Sequence, residues 1–164
     1  RYTAVDISSN IIGFCNEHYQ VPGLSFVRGR AENLPVENNS VDVVVNIESA
    51  RCYSSLDVFF NEVKRVLRPD GYFMFADMIE QEEVEDVKQK LHHCGFKIKK
   101  ENDITENIVK ALDIDSERRQ KLIDKKVPGF LRNSFYQFAG TVGSERYDAF
   151  KEGRFRYYSF VITV

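Results

Sequence analysis

The carboxylate best placed to do chemistry stands almost at the start of the chain. "TAVDISSNII" reads as a buried β-strand that ends in Asp6 and turns at once into a helix. A carboxylate accepts from two hydroxyls at once, and in nucleotide-binding α/β folds an acid at this place grips a ribose diol. Its usual setting is about 20 residues after a glycine-rich loop. Here only five residues precede it. The ordinary alternative is an aspartate that meets the positive end of a helix.

A second group follows an apolar run, in "NIESARCY". The Asn46 amide can donate to a carboxylate, accept from an ammonium, or simply cap a strand end. Glu48 is a candidate base. Arg51 stays protonated and cannot be one. Cys52 and Tyr53 follow Arg51 directly. A third group, Phe130, Phe135, Tyr136 and Phe138 in "PGFLRNSFYQFAG", suits an apolar acceptor pocket or plain core. His92, His93 and Cys94 are adjacent, so on a helix they point about 100° apart and do not converge on a metal. No metal is expected.

Strand-like and helix-like stretches alternate to position these groups. Strands are expected at "YTAVDI", "LSFVRG", "VDVVVNI", "YFMFADM", "FKIKKEND" and "RFRYYSFVITV". "VDVVVNI" is nearly all apolar, as a strand covered on both faces should be. "RAENLPVENNS" is polar and irregular. Helices are expected from Ser8 to about His18, after a Ser55 cap up to Pro69-Asp70-Gly71, and from about Gln81 to Cys94. Asp103 with Glu106 resembles a capping box. It opens a helix to about Leu112, then a second runs from Ser116 to Lys126, and a third lies near Ser144–Glu152.

Such alternation predicts an α/β fold: a mostly parallel sheet, helices on both faces, and a helical cap inserted before the last strand. The divisions are a core over residues 1–103, a cap over 104–152 and a terminal strand over 153–164. A chain of 164 residues with net charge −2 gives no reason to expect a nucleic-acid partner. Its three cysteines lack CxxC spacing, which argues against a disulfide framework and for a reducing, cytoplasmic setting. No signal peptide is visible, and no apolar run reaches the ~18 residues of a membrane span.

Four stretches, "VDIS", "FVRGRAENLPVENNSVDVVVNIES", "FFNEVKRVLRPDGYFMFAD" and "YYSFVITV", together resemble the class I S-adenosylmethionine-dependent methyltransferases. The "AE.LP" loop and the helix ending "VLRPDG" are the specific ones. The pattern is similar to the family's small-molecule branch, in particular its polyketide-lipid O-methyltransferases and its sterol and ubiquinone branches.

That resemblance implies a Rossmann-like fold of strand order 3-2-1-4-5-7-6, S-adenosyl-L-methionine as cofactor, and an apolar or lipid-like acceptor. It also implies that the family's first strand and glycine loop are absent from this chain, which is expected to be an N-terminally truncated form, inactive alone. The implied cofactor residues are Asp6 for the ribose, Ile7 against the adenine, Arg30, Ala31 and Glu32 along the adenine edge, and Asn46 near the methionine end. Arg30 stands where the family has an acid or amide, and Arg51 where lipid-type relatives have a histidine. Those departures keep open a catalytically silent binding or structural protein, a possible homo-oligomer. A nicotinamide dehydrogenase is a weaker third reading, because it gives no reason for the "RAENLP" and "VLRPDG" pair.

Overall fold

A computed structural model describes all residues 1–164. The order is β1 (Tyr2–Asp6), α1 (Ser9–His18), β2 (Leu24–Arg28), β3 (Val41–Ile47), α2 (Leu56–Val66), β4 (Leu67–Glu80) and α3 (Val84–His93). Then come β5 (Lys97–Asp103), α4 (Thr105–Lys126), α5 (Arg132–Ala139), α6 (Glu145–Lys151) and β6 (Phe155–Thr163).

The strands form two sheets: a parallel pair, β1 and β2, and a four-stranded sheet ordered β3-β4-β6-β5. Only β6 runs against its neighbours. Read across, this is the expected Rossmann-like order with no ladder joining β1 to β3. Those facing edges do not pair with each other.

The main core fills one face of the larger sheet. Phe59, Phe60 and Val63 of α2 and Val84, Val87 and Leu91 of α3 pack on Phe73 and Phe75 of β4. Ser55 caps α2 by accepting from Val58 N–H, and Leu56–Val66 places an apolar residue inward at each turn. A second, smaller cluster lies across the sheet, where Leu112, Tyr147, Phe150 and Tyr157 meet Ala76 and Met78.

Three expectations need correction. β3 is not covered on both faces: Val43, Val45 and Ile47 are 50%, 61% and 63% exposed. They share a face with Tyr72, Met74 and Ala76 of β4, and the cap reaches only the far end of that face. The two helices expected between Asp103 and Lys126 are one 22-residue helix, α4. The polar residues at the expected break find partners along the helix or across the cap instead. Asp113 accepts from the Tyr147 hydroxyl, Asp115 from Arg118 and Arg119, and the Ser116 hydroxyl from Val142 N–H. Asp103 does not form a capping box. Its carboxylate binds the N–H and hydroxyl of Thr105.

Candidate active site

The expected cofactor groups lie at the carboxyl ends of β1, β2 and β3, the end where open α/β sheets bind ligands. Asp6 is exposed and one carboxylate oxygen accepts from Ser8 N–H at 2.7 Å. Its other oxygen makes no hydrogen bond within the chain. Ser8 caps α1 from Ile11 N–H. Ile7 is 55% exposed beside it, its carbonyl held by Arg28.

The polar loop after β2 is irregular, yet firmly docked. Gly29 allows its start: a Cβ there would meet Pro35 Cδ at 2.5 Å and Val5 Cγ1 at 3.0 Å. Ala31 packs against the main core. One Glu32 oxygen accepts from both Ser54 N–H and its hydroxyl at 2.8 Å. Those two donors hold the carboxyl below its usual range. Arg30 is 58% exposed and reaches Glu32 at 3.6 Å. Arg65, unassigned in the sequence reading, ties the loop to α2. It donates to Glu62 twice at 2.7 Å, to the carbonyls of Leu34 and Val36, and to Asn38.

Asn46 is the most constrained member. It is 8% exposed and donates to Ser49 Oγ at 2.9 Å and to the Tyr53 hydroxyl at 2.6 Å, two groups themselves 2.9 Å apart. Its buried carbonyl oxygen has no partner. A buried unpaired acceptor costs about 1–3 kcal/mol and calls for a donor. Ser49 was not singled out in the sequence; its spacing of three from Asn46 was the only signal.

Glu48 sits in the left-handed region with φ 55°, where a non-glycine residue is strained, and its N–H is held by the Ala76 carbonyl at 2.9 Å. Arg51 is exposed, its guanidinium beside Met78. Beneath them Asp77 is 2% exposed and accepts from Ala50 N–H at 2.9 Å and Met78 N–H at 2.8 Å. Burial raises its pKa, opposed by those two donors. Asp77 was missed because nothing in "FMFADM" marks it apart from a strand-end acid.

The aromatic residues of the cap are less gathered. Phe130 and Phe138 are 85% and 71% exposed, and Phe135 is 45% exposed. The Tyr136 hydroxyl donates to Asp124 at 2.6 Å, on α4. Two surface clefts, of about 310 Å³ at Tyr19 and Pro22 and about 520 Å³ at Gln81 and Arg154, contain none of the expected site residues.

The strand order, with an acid ending β1 and a buried polar group ending β3, is that of a Rossmann-like fold. The family model described as "Methyltransferase domain" matches residues 1–75. The chain is similar to the phthiotriol/phenolphthiotriol dimycocerosates methyltransferase of Mycobacterium leprae, 36% identical over 97% of this chain and 60% of that protein. It is 30% identical to the fatty-acid O-methyltransferase of Mycolicibacterium smegmatis, over 98% of this chain and 58% of that one. Among solved structures, the cyclopropane synthase MmaA2 from Mycobacterium tuberculosis superposes with TM-score 0.77 at 13% identity, covering 99% of this chain and 69% of that one. That likeness speaks to the fold alone. The chain is thus similar to the class I S-adenosylmethionine-dependent methyltransferases, and it spans about 60% of the length of these curated relatives.

The residues present fit the family's cofactor. Asp6 leaves one oxygen for ribose hydroxyls, and the unpaired Asn46 oxygen suits an ammonium. No helix is long and apolar enough to cross a membrane.

Proposed function

We propose that the protein carrying this chain transfers a methyl group from S-adenosylmethionine to an oxygen of a lipid-like acceptor. Residues 1–103 and 153–164 form the cofactor-binding core and residues 104–152 the acceptor cap. When bound, the cofactor supplies an electrophilic methyl carbon on a positively charged sulfur. Asp6 holds the ribose, Ile7 and the Arg30–Glu32 loop border the adenine, and Asn46 takes the ammonium. Glu48 stands nearest the acceptor and receives its proton. Arg51 and Tyr53 form the rim, and Phe130, Phe135 and Tyr136 offer apolar surface to the acceptor's tail. Three unpaired cysteines fit a reducing, cytoplasmic setting.

The observation that carries this reading is the buried, unpartnered carbonyl oxygen of Asn46 beside the strained Glu48. Support for the acceptor comes from the activities named for the two relatives, both directed at lipids. Calorimetric titration with S-adenosylmethionine tests it. Asp6→Ala is expected to weaken binding by about tenfold or more, the loss of charge-assisted hydrogen bonds. Equal affinity would remove Asp6 from the site.

A further inference from the structure

The cap is fastened to the sheet on one side, where Leu112 of α4 and Tyr147 and Phe150 of α6 pack with Tyr157 of β6. Its other side is arranged the opposite way. α5 has no buried residue. Arg132, Tyr136 and Ala139, spaced i, i+4 and i+7, face α4. The Arg132 guanidinium donates to the carbonyls of Asp124 and Val127 at 2.8 and 3.1 Å. The Tyr136 hydroxyl donates to the Asp124 carboxylate at 2.6 Å, and the Ala139 carbonyl accepts from Arg119. The same spacing on the other face holds Leu131, Phe135 and Phe138, which are 38%, 45% and 71% exposed. Phe130 stands just before them at 85%. A helix at the surface of a globular domain ordinarily turns its apolar stripe inward. Here the polar face is inward and the apolar stripe is outward, which marks an interaction surface.

The charges around the stripe point to its partner. Arg118 and Arg119 pair with Asp115, Lys121 with Glu117, and Arg132 with Asp124. Lys125 and Lys126 are exposed in the last turn of α4, just before Phe130, and form no ion pair. Arg146 also forms none. It lies 5.5 Å from the centroid of the Phe138 ring and donates to the Phe138 carbonyl at 2.8 Å. Glu145 is the acid of this stretch left unpaired. Cations therefore flank the stripe at both ends. Exposed rings between lysines and arginines match a bilayer, whose acyl boundary takes the rings and whose anionic headgroups take the cations. A second copy of this face would set like charges against each other.

We infer that the α5 face of the cap docks on an anionic lipid bilayer. Phe130, Leu131, Phe135 and Phe138 enter its surface, and Lys125, Lys126 and Arg146 lie among the headgroups. The eight-residue α5 lies in the plane of the interface, and no helix is long and apolar enough to cross it. An acceptor with a long apolar tail is then met in the layer that holds it. That consequence rests on the methyl-transfer reading. The docking does not, and it is scored without turnover.

Sedimentation of the full-length gene product with vesicles tests the inference. Vesicles of phosphatidylcholine and phosphatidylglycerol in equal parts should bind it about tenfold or more tighter than phosphatidylcholine alone, and added salt should weaken that binding. Lys125→Glu combined with Lys126→Glu should weaken it by about tenfold or more, and Phe138→Ser by about fivefold or more. These side chains are exposed, so the melting midpoints should match the wild type. Phe130→Trp should add an emission that brominated acyl chains quench. A wild type that sediments with neither vesicle, binding unchanged in both charge and Phe138 variants, or no quenching in Phe130→Trp overturns the inference. So does a wild-type dimer that ignores vesicles and becomes monomeric in Phe138→Ser. Methyl transfer without vesicle binding removes the docking and leaves the methyl-transfer reading in place.

Discussion

The β1–α1–β2 unit and the four-stranded sheet are held by different means. No residue before Asn46 is buried, and α1 leaves Ile11 and Phe14 half exposed. The larger sheet encloses a run of stacked and edge-on rings, Phe59, Phe60, Phe73, Phe75 and Phe96, at centroid separations of 4.7–6.1 Å among themselves and with Tyr53. The first unit is tied on by polar links from its following loop, Arg65 with Glu62, Leu34 and Val36, and Glu32 with Ser54. The stability of the fold thus lies in the second region, while Asp6, on which cofactor binding depends in our reading, lies in the first.

The largest effect that would sharpen this contrast is a cavity in the sheet core. Phe73→Ala should lower unfolding free energy by about 3–5 kcal/mol, against less than about 2 for Phe26→Ala in the half-buried β2. Equal losses in denaturant titrations would erase the distinction. Next is Asp77→Ala, which strands the N–H groups of Ala50 and Met78 and should cost about 2–3 kcal/mol.

Asp77 also sets a pH dependence. Its folded pKa is raised, so the folded state holds the proton more tightly than the unfolded chain. Its contribution to stability therefore falls as pH rises above the ordinary value of 3.8 through the raised one. Stability against pH for wild type minus Asp77→Ala should show that decline; a difference that grows with pH would contradict it.

Gly29→Ala acts at the join between the regions. Its Cβ would strike Pro35, and the melting midpoint should drop by an amount corresponding to about 1–3 kcal/mol. Glu117→Gln is the smallest: it removes an ion pair with Lys121 whose side chains are 78% and 74% exposed, and the midpoint should not move measurably.

Much of the fold was legible because its signals are local. The Ser8 and Ser55 caps each make the expected side-chain bond, and Gly95 ends α3 with φ 82°. What misled was also local. "LDIDS" looks like a helix break, but its polar groups bind residues 26 and 34 positions away, which no window of sequence reveals. The apolar run of β3 implied cover on both faces, yet period and composition do not say whether a neighbour exists. In the site, Asp6 and Asn46 were readable from strand ends. Asp77 and Tyr157 were not, because burial gives them their character: Asp77 shares the core face of β4 with Phe73, Phe75 and Ile79, and Tyr157 packs under α4 and α6.

The central claim is that the carboxyl ends of β1 and β3 act as one cofactor site. Backbone amide shifts followed by NMR during titration of the full-length gene product with S-adenosylmethionine test it most directly. The expected result is saturable movement at Asp6–Ser8 and at Asn46–Tyr53, with α3 and β5 unmoved. Shifts confined to the Tyr19–Pro22 cleft, or none in either strand end at saturation, would contradict it.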